Sequence, residues 1–209
     1  MAWDEALLRA VPQFGRPVLR LYAWNEPAAT FGYFQRIADA ERLTPLRPLI
    51  RRPTGGGLVA HDGDWTYSLA FPPEDCWYGL KAIESYRRVH AWIQAAFARA
   101  GLLTELSAGA SKEAVGQCFS RAERFDLLWQ QRKIAGAAQR RSRDGLLIQG
   151  SIQPPSSMNR AEFEQAFCDV AQADWGVQWQ LFEVETALLK QVRELARNKY
   201  SRREYNGRR

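Results

Sequence analysis

The sequence is poor in the residues on which metal centres and disulfide frameworks depend. Only three of its 209 residues are cysteine and two are histidine. Cys76, Cys118 and Cys168 are widely spaced, odd in number and free of any C-x-x-C pair, so neither a disulfide framework nor a zinc site is expected. His61 and His90 are isolated from each other, and no bound metal is expected from them. Long apolar runs are also missing. No stretch approaches the roughly 20 residues of a membrane span, and Met1 to Glu5 lacks the basic flank and apolar run of a signal peptide. A cytoplasmic protein with no membrane partner is the expectation. No linker-like tract, internal repeat or low-complexity segment interrupts the chain, so residues 1–209 are expected to form one domain.

Lysine is scarce as well: the 29 basic residues include only Lys81, Lys112, Lys133, Lys190 and Lys199. The rest are arginines, whose planar fork suits phosphate and carboxylate. A net charge of +6 points to an acidic partner. The arginines are spread along the chain without a nucleic-acid-binding motif, so nucleic acid is not the expected partner. With 46% apolar and 25% charged residues, the composition is that of a folded globular protein.

Apolar spacing over Asp4 to Val11 predicts a first helix that stops at Pro12. Pro17 to Trp24 reads as a strand ending at the Asn25-Glu26-Pro27 turn. Leu58 to His61 and Trp65 to Phe71 read as strands joined in a hairpin by Asp62-Gly63-Asp64. Leu80 to Ala100 carries apolar residues three and four apart and is closed by Gly101, which makes it the longest helix. Phe125 to Trp129, Lys133 to Arg140 and Leu146 to Ile152 read as an antiparallel meander turning at Asp144-Gly145. Helical patterning returns at Glu162 to Ala173 and Glu183 to Ala196, before a basic tail. Strands grouped in hairpins with helices between them predict an α+β fold: a mixed, largely antiparallel sheet with flanking helices.

Three places could carry chemistry. In Arg51-Arg52-Pro53-Thr54-Gly55-Gly56-Gly57, the glycines would let backbone N–H groups approach an anion while the arginines supply charge; the plainer reading is a flexible turn. Lys133 begins an apolar, small-residue strand, where an ammonium could neutralise a phosphate or polarise a carbonyl, or simply point into water. Cys118, in a loop-like stretch before a strand, could accept an acyl group as a thioester, or be one more buried thiol, the reading that Cys76 and Cys168 keep. His61 could orient a substrate. His90 reads as a core or helix-surface residue.

In order, these motifs resemble the lipoate-protein ligase and octanoyltransferase family. Arg51 to Asp62 followed by Trp65 to Leu69 looks like its acyl-pocket motif. Arg132 to Arg141, with Gln149 to Ile152, looks like its lysine signature. Asn198 to Asn206 is similar to its Lys-Tyr-x-x-x-Glu-Trp-Asn element, and Met1 to Leu8 resembles its first helix. The resemblance implies the fold of biotin and lipoate protein ligase catalytic domains, without the C-terminal accessory domain of some ligases. It implies an acyl pocket lined by Arg51, Arg52, Gly55, Gly56, Gly57, His61, Tyr67, Gly136, Ala137, Gly150 and Ser151, with Lys133 as the catalytic lysine. Cys118-Phe119 falls where one branch of octanoyltransferases keeps a nucleophilic cysteine. Gln149 stands where relatives usually have histidine, and Asp126 resembles an aspartate of ATP-using ligases, although Phe125 replaces its asparagine neighbour.

The resemblance thus implies an octanoyltransferase that moves an acyl group from octanoyl-acyl carrier protein through Cys118 to a lysine of a lipoyl domain or H protein, with no cofactor. The alternative enzyme is a ligase that uses free lipoate, ATP and Mg2+ through lipoyl-AMP, with Asp126 and Lys133 at the nucleotide. A third reading is a non-catalytic protein that binds an acyl-carrying domain.

Overall fold

The computed structural model describes residues 1–109 and 122–208. A six-stranded sheet is built from β1 (Val18–Tyr22), β5 (Trp65–Phe71), β9 (Gly145–Ile152), β8 (Arg132–Ser142), β7 (Leu127–Trp129) and β6 (Glu105–Leu106), in that spatial order. Every neighbouring pair in it is antiparallel. A three-stranded sheet places β2 (Ala28–Phe31) between β3 (Leu49–Arg51), parallel to it, and β4 (Val59–His61), antiparallel to it. The fold is therefore α+β with a mixed strand set, as the patterning predicts.

The central strand β9 is buried along its whole length because helices cover both faces of the large sheet. Leu146, Ile148 and Ile152 join the core formed with α3 (Ala82–Arg99) and α4 (Arg160–Trp175). On the opposite face, Val18 and Ala70 pack with Leu7 and Val11 of α1 (Ala2–Phe14) and Leu188 and Val192 of α5 (Thr186–Leu195). Side-chain alternation along β9 then turns Gln149 and Ser151 away from the α3–α4 core. On α3, the i, i+4, i+8 series Val89, Ile93 and Phe97 is fully buried, each side chain contributing roughly 1.5–3 kcal/mol. Asn159 starts α4 by accepting from the N–H groups of Ala161 and Glu162, and Gly176, in the left-handed region at φ 64°, ends it.

Two local expectations change. α1 does not stop at Pro12 but runs on to Phe14. Pro12 forfeits a backbone hydrogen bond at a cost of about 3 kcal/mol; burial of Leu7, Leu8 and Val11 and the edge-on contact of Phe14 with Phe182 at 5.1 Å hold the extra turn in place. Asp62-Gly63-Asp64 does turn the chain, yet β4 and β5 are not a hairpin: β4 pairs with β2 and β5 with β1 and β9. The buried Asp64 carboxylate explains the divergence, since it accepts from His61 on one side of the turn and from Thr66 and Ser151 on the other. Several short elements carry no periodic signal, β2 and α2 (Ile37–Leu43) among them. β2, Ala-Ala-Thr-Phe, is buried at every position and cannot alternate, and α2 is only seven residues long.

The chain's last part is a clasp. After α5 a π-helical turn, Ala196–Tyr200, leads to the short α6 (Arg203–Gly207). Lys199 Nζ and Tyr200 Oη each lie 2.5 Å from Oε2 of the buried Glu5 on α1. Asn206 accepts from the Arg51 N–H (2.8 Å) and donates to the carbonyls of Tyr200 and Arg202.

Candidate active site

Where the small sheet meets the large one, a cavity of about 720 Å³ opens. Its walls come from β2 and β4 (Thr30, Val59, His61), the glycine turn (Gly56, Gly57), β8 and β9 (Lys133 to Ser151) and α3 (Tyr86, His90). Two walls are lined by residues with small side chains, Gly136, Ala137, Ala138, Gly150 and Ser151, which leaves width for a ligand chain.

One wall is a buried polar chain. Arg52 donates to Thr30 Oγ1 (2.9 Å), Thr30 Oγ1 lies 2.8 Å from His61 Nε2, and His61 Nδ1 lies 2.9 Å from Asp64 Oδ2. With Arg52 only able to donate, the Thr30 proton is free for His61 Nε2, which places the imidazole proton on Nδ1 facing Asp64. Trp24 stacks on His61 at 4.3 Å and donates to Thr66. His61 is thereby held in one orientation and one tautomer. The other Arg52 nitrogen donates to the carbonyls of Gly55 and Gly57, so the glycine run is organised around its carbonyls.

A second wall carries Lys133, whose ammonium lies 2.7 Å from Asp126 Oδ2. Gly136 makes room for this pair: a Cβ there would lie 2.7 Å from Lys133 Cε and 3.3 Å from Asp126 Oδ1. Burial raises the Asp126 pKa above its ordinary value, although Lys133 and the Glu123 N–H oppose the shift. Four residues apart on α3, Tyr86 and His90 present one helix face to the cavity. His90 is 1% exposed, with its ring against the backbone of Phe125. Burial, aided by the Lys133 ammonium, outweighs the hydrogen bond to the Phe125 backbone and pushes its pKa down to about 4, so its imidazole is neutral at pH 7.

A third wall is fastened by Gln149. Its amide donates to the buried Asp4 (2.7 Å) and accepts from Thr54 (2.9 Å), joining α1, the glycine turn and β9. An amide can donate and accept at once without a charge, which is what this position requires.

Of the residues singled out from sequence, Arg52, Gly56, Gly57, His61, Asp126, Lys133, Gly136, Ala137, Gly150 and Ser151 line the one cavity. Arg51, Gly55 and Tyr67 do not. The Arg51 guanidinium is buried and donates to backbone carbonyls of Tyr33, Gln35, Tyr205, Asn206 and Arg208. The Tyr67 ring lies behind Gly150. Cys118 lies outside the described residues. Cys76 is exposed rather than buried, and Cys168 is partly buried. Gln149, marked in the sequence as standing where relatives have histidine, lines the cavity too, as do Thr30 and Tyr86, which only their convergence in space marks. Among the described residues no three His, Cys, Asp or Glu side chains converge as a metal site would need, and no helix is long and apolar enough to cross a membrane.

Residues 1–178 match the family model of the lipoyl protein ligase A/B catalytic domain. Octanoyltransferase LipM of Symbiobacterium thermophilum is 38% identical over 168 residues, covering 73% of this chain and 59% of that protein. Octanoyltransferase LipM of Exiguobacterium sibiricum is 33% identical over 183 residues, covering 80% and 64%. The chain thus spans about three fifths of the length of these relatives. Among solved structures, lipoate-protein ligase A bound with ATP superposes with a TM-score of 0.78 at 21% identity, covering 98% of this chain and 91% of the other. A bi-partite lipoate protein ligase from Thermoplasma acidophilum superposes with a TM-score of 0.72 at 20% identity, covering 98% and 89%. At these identities the superpositions establish the shared fold.

Proposed function

The chain belongs to the lipoyl protein ligase A/B catalytic-domain family, and on that footing we propose that it transfers an octanoyl group from acyl carrier protein to a lysine of a lipoyl domain or H protein, through a thioester on Cys118. The observation that carries this reading is the Lys133 ammonium, paired with Asp126 at the wall of a cavity whose floor lacks bulky side chains. The relatives named octanoyltransferase support it.

In the first step the Cys118 thiolate attacks the carbonyl carbon of the donor thioester. The new C–S bond forms, the donor's C–S bond breaks, and the proton lost by Cys118 ends on the departing thiol. In the second step the neutral amine of the acceptor lysine attacks the enzyme thioester. An amide forms, the Cys118 sulfur leaves, and the amine's surplus proton returns to it. Both steps pass through a tetrahedral oxyanion, and the Lys133 ammonium is the charge that would stabilise it. Arg52, His61, Gly136, Ala137, Gly150 and Ser151 would shape the acyl channel, with Tyr67 backing Gly150. The reaction balances without ATP or a metal ion.

Ligation of free lipoate with ATP and Mg2+ is the competing reading. Asp126 Oδ2 accepts from Lys133 and from the Glu123 N–H at 2.7 Å each, and it is the relatives named octanoyltransferase that favour transfer over ligation. Intact-protein mass spectrometry after mixing with octanoyl-acyl carrier protein, without ATP, tests the proposal. An octanoyl adduct on the wild type and none on Cys118→Ala is the expected result. Modification of a lipoyl domain only when free lipoate, ATP and Mg2+ are all supplied would overturn it in favour of a ligase.

A further inference from the structure

Side chains alternate along β8, so Gly136, Ala138 and Arg140 share one face. Ala138 lines the cavity, and Arg140 continues that face past it to lie 5.9 Å from the Tyr33 ring. Tyr33 belongs to the turn at 32–35, whose Gln35 also lines the cavity. Its neighbour Phe34 packs edge-on against it and is 86% exposed, among the most exposed large apolar side chains described. Arg208 donates to Tyr33 Oη at 3.1 Å and covers the rings of Tyr33 and Tyr205 at 5.1 and 4.5 Å. Lys199 lies 4.7 Å from the Tyr205 ring, and Arg202 borders the same shallow depression.

We infer that this surface, with Phe34 beside Tyr33 at one side and Arg140, Lys199, Arg202 and Arg208 along it, docks an acidic face of the protein that delivers the acyl thioester. The inference rests on the transfer reaction proposed above and adds where its donor binds. Gathering like charges is unfavourable unless an anion answers them. The buried Glu5 answers Lys199 and Arg9, and among the described residues that line the depression Glu204 is the one carboxylate, which leaves the arginines in excess. Stacking on tyrosine rings fixes Arg208 and Lys199 before a partner arrives, so less side-chain entropy is lost on docking. Phe34 offers the apolar anchor that charge pairs alone do not provide.

A single-stranded nucleic acid fits less well. It needs open aromatic faces, and those of Tyr33 and Tyr205 are covered by cations, while Glu204 breaks the cationic track. The position beside the cavity suits a partner that carries its acyl group on a flexible arm.

The test compares two donors with one lipoyl-domain acceptor: octanoyl-acyl carrier protein and a small octanoyl thioester that has no protein part. Arg140→Glu with Arg202→Glu is expected to raise KM for the carrier donor at least tenfold, leave kcat within about twofold and leave the small thioester's rate unchanged. Phe34→Ala is expected to raise the same KM several-fold, and it serves if the double variant misfolds. An unchanged KM, or an equal loss with both donors, would overturn the inference. So would displacement of the carrier by an oligonucleotide at the same site. If the wild type transfers from neither donor, the proposed reaction fails on its own; titration of carrier protein against wild type and variant then still decides, with equal affinity sinking the docking surface.

Discussion

Lys133 Nζ and Asp126 Oδ2 lie 2.7 Å apart, with side chains 12% and 7% exposed, across the register shift between β7 and β8. Taking away one of two charges so nearly buried costs the other its counter-ion at 2.7 Å. Lys133→Ala is expected to lower unfolding free energy by about 3–5 kcal/mol and to slow acyl transfer by roughly 10²–10³-fold. Lys133→Met with Asp126→Leu should recover much of the stability and none of the transfer. Chemical denaturation alongside single-turnover transfer separates the two effects; recovery of transfer in the double variant would remove Lys133 from the chemistry.

Gly150 is set by the Tyr67 ring behind it: a Cβ at that position would lie 2.2 Å from Tyr67 Cζ. A rigid ring in a packed core cannot move that far. Gly150→Ala is expected to cost at least about 1–3 kcal/mol, and Tyr67→Ala should cost less in that background than in the wild type. The Tyr67 hydroxyl is buried without a partner among the described residues, so Tyr67→Phe should be neutral or stabilising. A double-mutant cycle of melting temperatures reads the coupling, and strict additivity would refute the contact.

Arg51 and Asn206 close the clasp between β3 and α6. A lysine at 51 cannot serve the spread of carbonyls that the planar guanidinium reaches. Arg51→Lys is expected to lower stability by about 3 kcal/mol or more, and Asn206→Ala by about 1–3 kcal/mol, because the buried Arg51 N–H loses its acceptor. Both variants should keep wild-type transfer per folded molecule at low temperature. A specific loss of kcat in Arg51→Lys without loss of melting temperature would return Arg51 to the acyl pocket.

These residues also show what the sequence makes legible. The β7–β8–β9 meander was readable because its turns are local and its strands are apolar, and Lys133 stood out as a charge inside one of them. Arg51 and Arg52 look alike as neighbours in a chain. Extended backbone sends them to opposite sides, one to the clasp and one to the cavity. The Asp62-Gly63 turn is visible locally, but nothing local says that the strands around it join different sheets; that depends on Ser151, about ninety residues away, reaching Asp64. His90 is recognisable as lying on an apolar helix face, whereas Lys133, whose charge acts on it, comes from β8 across the core.

His90 supplies a pH dependence whose sign follows from burial. In the unfolded chain its imidazole titrates near 6.5, and in the folded protein near 4. Folding therefore favours the neutral form. Above pH 6.5 both states are neutral and stability is complete. As pH falls from 6.5 toward 4, the unfolded chain takes up a proton that the folded protein refuses, and stability drains away, by at most roughly 3 kcal/mol across that window. Asp4 and Glu5 have folded pKa values below the usual carboxylate range, since hydrogen bonds and neighbouring cations outweigh the burial that would raise them. Their contribution is lost at lower pH, through the carboxylate range, and overlaps the end of the His90 window. The two sources separate by substitution: His90→Gln keeps the shape and hydrogen-bonding capacity but cannot titrate. Urea midpoints of the wild type should fall between pH 6.5 and 4.5 while those of His90→Gln stay nearly level until the carboxylates protonate. Parallel curves for the two proteins would show that His90 gains a proton freely in the folded state, and hence that it is not sealed into the cavity wall.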